Sequence, residues 1–146
     1  MAAGRGRHWD WLAGAAGLVF TIGLFLHWWH SNDDNWIAIS NLGMEGKLMF
    51  IGGLFAIAVP FVTAMRQSAG RIQSYRWLVL LIGVVLVAWT AFRMADPPEF
   101  DSLPGLAVTL NPGAWITLVA AVLIVVFNGL AMWATLAKRP ARSATA

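Results

Sequence analysis

Residues Arg66–Arg76 read RQSAGRIQSYR, a short polar stretch with arginines at Arg66, Arg71 and Arg76 and a long apolar run on either side. Positive charge in a short loop between apolar spans marks the cytoplasmic side of a membrane. This stretch therefore sets the topology, and it divides the chain into two similar hairpins.

The composition leads to the same class. Of 146 residues, 59% are hydrophobic and 12% charged, and mean hydropathy is +0.67. A soluble domain carries about 25% charged residues. The length suits one domain, 1–146, embedded in the bilayer. There are no cysteines, which excludes disulfides, thiolate metal sites and cysteine nucleophiles. The sequence pI is about 10.2, but the basic residues gather at span ends, which reads as a topology signal and not as a nucleic-acid surface.

Working outward from the arginine stretch gives four predicted spans, at about 11–29, 46–65, 77–94 and 113–137. The first follows a small basic opening with Arg5 and Arg7 and is longer than a signal-peptide apolar region, so a retained helix is expected. Asp10 lies near its N-terminus, where the helix dipole favours an anion. His30–Met44 forms a first outer loop, with Trp36, Ile37 and Ile39 apolar enough to lie on the bilayer. Pro60, inside the second span, should free the Ala56 carbonyl and kink the helix. The second outer loop, Asp96–Asn111, holds Pro97, Pro98 and Pro104 together with Asp96, Glu99 and Asp101. Asn111-Pro112 reads as N-cap and first helical residue of the fourth span. Lys138, Arg139 and Arg142 make a basic tail.

Placing both termini inside puts Arg5, Arg7, Arg66, Arg71, Arg76, Lys138, Arg139 and Arg142 inside and leaves Lys47 and Arg93 outside. Every acid but Asp10 then falls outside, and the opposite orientation inverts the bias. Trp9, Trp11, Trp77 and Trp133 mark the inner interface; Trp28, Trp29, Trp36 and Trp115 mark the outer one. A faint parallel repeat aligns Trp11-Leu12 and Gly17 with Trp77-Leu78 and Gly83 at an offset of 66. It also aligns His27 with Arg93.

Helices in lipid associate through small residues and a few polar contacts. The expected packing stripes are Ala13, Gly17 and Thr21; Gly52 and Ala56; Gly83, Val87 and Ala91; and Thr117, Ala121, Ile124, Asn128, Ala131 and Thr135. Leu118, Val122, Val125 and Val126 fall mostly off the last stripe and suit lipid.

Two clusters stand out. Arg93 lies at the outer end of the third span, against the charge trend, and an arginine at membrane depth is a candidate functional group. Trp89, four residues earlier, suits a cation–π contact. The plain reading has Arg93 snorkelling to the interface and pairing with Asp96 or Glu99. The sharper one is an anion site built from Arg93, Trp89, Trp28 and Glu45. The second cluster is His27 and His30, which share a face if the stretch is helical. With Asp33 or Asp34 they form an N,N,O ligand set suited to zinc or another divalent ion. No G-x-S-x-G motif, phosphate-binding glycine loop or intramembrane carboxylate pair is present, and no cofactor is expected.

The edges Leu24-Phe25-Leu26-His27-Trp28-Trp29, Arg93-Met94-Ala95-Asp96-Pro97-Pro98 and Gly113-Ala114-Trp115 resemble those of a loose group of small, uncharacterised four-span bacterial integral membrane proteins. In that group a proline often stands where this chain has His27. The resemblance implies a four-helix membrane fold and brings no activity. Alanine, glycine, valine and arginine outweigh lysine, as in GC-rich bacteria. The expectation is an all-α, four-helix transmembrane bundle of two hairpins in a bacterial plasma membrane, both termini cytoplasmic. Its leading function is that of a non-catalytic accessory or interaction protein whose partners are the lipid bilayer and another membrane protein or a copy of itself. The alternatives are a ligand-binding protein or transporter with an outer site around Arg93, Trp89 and His27, and a metal-dependent enzyme using His27 and His30.

Overall fold

The computed structural model describes residues 4–31, 34–65, 72–96 and 109–137. In chain order these form α1 (Gly4–Gly23), β1 (His27–Ser31), β2 (Asp34–Ile37), a one-turn α2 (Ala38–Asn41), α3 (Met44–Met65), α4 (Ile72–Ala95), β3 (Thr109–Leu110) and α5 (Pro112–Leu136). The fold is all-α in its bulk, with a small sheet at one end. Arg66 and Arg71 of the dividing stretch, most of the second outer loop and the basic tail lie outside the described residues.

Among the described residues, three helices are long and apolar enough to cross a membrane: Met44–Met65, Tyr75–Ala95 and Pro112–Leu136. At ~1.5 Å per residue each exceeds the ~30 Å hydrocarbon core. Their outward faces are apolar, with Leu54, Phe55, Leu81, Val85, Val119 and Val126 all exposed.

The first predicted span, 11–29, needs correction. Its helix stops at Gly23, and His27–Ser31 is extended. Two local effects end it. Leu24, Phe25 and Leu26 turn back on Phe20, Thr21, Ile22 and Gly23 through backbone hydrogen bonds. The indole Nε1 of Trp28 then donates to the Gly23 carbonyl at 2.9 Å, a second donor on an oxygen that already accepts from the Leu26 N–H and has lost its helical i+4 partner. The following aromatic residues favour a pleated strand.

The sheet has strand order β2-β1-β3. β1 pairs antiparallel with β2 (His27 with Ile37, Trp29 with Trp36, His30 with Asn35, Ser31 with Asp34) and with β3 (Trp29 with Leu110, His30 with Thr109). The register breaks between His27 and Trp29, so Trp28 is the extra residue of a bulge. This accounts for two consecutive tryptophans both being 0% exposed, where a regular strand would send them to opposite faces. Trp28 and Trp29 are therefore core residues and not part of an interfacial belt. Trp36 and Ile39 also pack on the core instead of lying out on the bilayer. Trp11, Trp77, Trp115 and Trp133 are exposed, as anchors require.

Helix α1 packs against α3 and α5, and α4 closes the ring against the same two helices. The packing stripes supply the close approaches. A β-carbon on Gly17 would lie 2.8 Å from the Ala56 carbonyl oxygen, the carbonyl that Pro60 leaves without its helical donor. One on Gly83 would lie 3.0–3.1 Å from Val125 and Ile124 of α5. Thr117, Ala121, Ile124, Asn128 and Ala131 are all buried, while Val122 and Val126 are exposed; Leu118, expected to face lipid, packs on the core instead, and Val125 meets Gly83 of α4. Gly43, between α2 and α3, adopts φ +56°, a left-handed conformation that glycine takes without strain.

Candidate functional site

Glu45 stands in the first turn of α3 and Arg93 in the last turn of α4. The antiparallel packing of these helices brings the two side chains together at the end that carries the sheet. Nε of Arg93 donates to Glu45 Oε2 at 2.6 Å, and Nη2 donates to Oε1 at 2.5 Å. This is the two-pronged geometry in which arginine binds carboxylates best. Trp89, one turn earlier on α4, donates its indole N–H to the same Oε2 at 3.2 Å. Side-chain exposure is 19% for Arg93 and 33% for Glu45, so the pair is partly open to its surroundings.

Three of the four anticipated members, Arg93, Trp89 and Glu45, thus meet. The details differ from expectation. Arg93 bonds Glu45, not Asp96, and Glu99 lies outside the described residues. Trp89 serves as a hydrogen-bond donor, whereas the guanidinium lies over the Phe92 ring, 5.3 Å from its centre. Trp28 is committed to the Gly23 carbonyl.

A second pair lies at the opposite end of the helices. Arg76 Nη2 meets Asp10 Oδ2 at 3.0 Å, with side-chain exposures of 10% and 5%. It joins α1 to α4, which do not adjoin in the ring, so the pair spans the interior. Arg76 Nη1 and the Thr90 hydroxyl are buried without a hydrogen-bond partner among the described residues. By sequence alone Asp10 reads as a dipole partner and Arg76 as a loop charge. Their contact was not anticipated, although they stand 66 residues apart, the offset of the faint repeat.

His27 and His30 do not share a helix face. Both belong to β1, where the bulge at Trp28 leaves them opposite Ile37 and Asn35, two rungs apart on one sheet face. That spacing is ~7 Å along the strand. His27 is exposed. His30 Nδ1 lies 3.2 Å from Asn35 Oδ1, which also accepts from Asn111 Nδ2 at 3.1 Å. Asn111 takes the N-cap position of α5 by its backbone, but its side chain makes no capping bond. Asp33 lies outside the described residues, and among those described no group of three His, Asp or Glu side chains is placed to hold a metal ion.

Among the described residues, apolar grooves run between helices. One, of about 470 Å³, lies between α1 and α5 and is lined by Leu12, Val19, Trp115, Val119 and Leu123 among others. Another, of about 330 Å³, lies between α3 and α4 and ends at Trp89. Compared with known proteins, the chain matches no family model, and neither a curated protein nor a solved structure is detectably similar to it.

Proposed function

We propose that this chain is a non-catalytic integral membrane protein of the bacterial plasma membrane that works through contacts with lipid and with other membrane proteins. It would span the bilayer four times as two hairpins, α1 with α3 and α4 with α5, with both termini cytoplasmic and the sheet outside. The observation that carries the reading is how the charges on the helices are used. Asp10 with Arg76 and Glu45 with Arg93 are bonded to each other, and the outward faces of α3, α4 and α5 are apolar. Charges in membrane helices face the interior and pair, and that pattern serves packing without a reactive group. Placement of Asp10 and Arg76 at the cytoplasmic end and of Arg93 and Glu45 at the outer end agrees with the basic bias of the termini and the arginine loop.

Gentle solubilisation, capture through a C-terminal tag, and native gel with mass spectrometry test the reading. A stoichiometric membrane-protein partner is expected. Recovery of the chain alone counts against an accessory role. The gathering of Arg93, Trp89 and Glu45 favours a second reading, a small-ligand site at the sheet end. In that reading Arg93→Ala abolishes ligand-dependent thermal stabilisation while the fold persists.

A further inference from the structure

We infer that the groove between α3 and α4 is a phospholipid site selective for a zwitterionic phosphoethanolamine headgroup, with the Arg93–Glu45 pair as its headgroup reader. The inference rests on the membrane-spanning reading. Trp89 connects the two parts. Its ring lines the groove, and its indole N–H is bonded to Glu45. Below Trp89 the walls are Leu48, Phe55, Leu81, Val85 and Leu86, wholly hydrocarbon. From Arg93 down to Leu81, α4 descends ~18 Å, close to half of a ~30 Å hydrocarbon core. The groove is therefore one leaflet deep and suits one acyl chain.

Charge complementarity selects the headgroup. Glu45 occupies the Nε and one Nη2 position of Arg93; no hydrogen bond to Nη1 forms among the described residues, and Asp96 acts on the guanidinium through its charge alone. Arginine binds phosphate through such an edge. Glu45 is a third exposed, and a carboxylate has about four acceptor positions, of which three are used here. A primary ammonium can therefore donate to it. A headgroup with phosphate and ammonium a few atoms apart satisfies both partners. Phosphocholine has no N–H to give, and phosphoglycerol carries no cation to answer Glu45. Neither groove has a charged side chain in its lining; the α3–α4 groove is set apart by Trp89, which lines it and donates to Glu45.

The test uses the full-length chain, delipidated in detergent, titrated with phosphatidylethanolamine, phosphatidylcholine and phosphatidylglycerol of identical acyl chains. The readouts are thermal stabilisation and native mass spectrometry. The ethanolamine lipid is expected to bind roughly tenfold more tightly than either other lipid, the size of one charge-assisted hydrogen bond. Glu45→Gln should erase its advantage over the choline lipid. Gly52→Phe should weaken binding of all three, since a side chain there enters the groove near Ile82 and Leu86. Equal binding of the three lipids by the unmodified chain overturns the inference without reliance on any variant, and so does selectivity that survives Glu45→Gln. Release of the chain from membranes by alkaline carbonate would overturn the spanning reading as well, whereas a retained chain with no headgroup preference overturns the lipid site alone.

Discussion

Arg93 was visible in the sequence because it breaks a charge rule, but its partner was not. Glu45 stands 48 residues away, and only helix packing chooses between it and the nearer acids. Asp10 and Arg76 show the limit more sharply. Each fitted a local role, as a helix-dipole anion and a loop cation, and nothing local tied one to the other. The buried pair makes a firm prediction. Asp10→Ala leaves Arg76 uncompensated and should cost ~3–5 kcal/mol, while replacing both members with apolar residues, Asp10→Leu with Arg76→Met, should cost far less or nothing. Reversible unfolding in mixed micelles, run as a double-mutant cycle, checks both. The Glu45–Arg93 pair is more exposed, so the same cycle there should show a coupling of ~1 kcal/mol.

Among the elements, the apolar lengths of α3, α4 and α5 were readable, because about twenty uncharged residues have few other uses. The small-residue stripes were readable too, and they mark the helix contacts seen at Gly17, Gly83 and the α5 face. The end of the first helix was not. Hydropathy does not distinguish helix from strand in Leu24–Trp29, and the decision falls to the Trp28 cap, the bulge and pairing with Leu110, more than 80 residues downstream. With that strand went the helical face assumed for His27 and His30. Gly17→Val tests the α1–α3 contact. Because the new β-carbon meets the Ala56 backbone at 2.8 Å and backbone yields poorly, a loss of ~2–3 kcal/mol is expected. At exposed Leu81, Leu81→Ala removes as many carbons as Gly17→Val adds and should cost under ~1 kcal/mol in the same assay.

For the whole molecule, α4 is fixed by ion pairs at both ends, to α1 at one and to α3 at the other. Between them the α3–α4 seam is open enough for a 330 Å³ groove. A helix anchored at its ends and loosely packed along its middle can admit a lipid chain without losing register. The sheet draws β1 and β2 from one proposed hairpin and β3 from the other, so it ties the two halves together at one end. That link lay beyond sequence patterning, since two-residue β3 carries no periodic signal.

In the proposed orientation the sheet and the Arg93–Glu45 pair face outward while both termini face the cytoplasm. The chain has no cysteine, so single cysteines report cleanly. Ser40→Cys at the sheet end and Ala137→Cys after α5 are both at exposed positions. With a membrane-impermeant maleimide on intact cells, position 40 should label and position 137 should not until the membrane is opened. Labelling at 137 in intact cells, with 40 protected, would contradict that orientation.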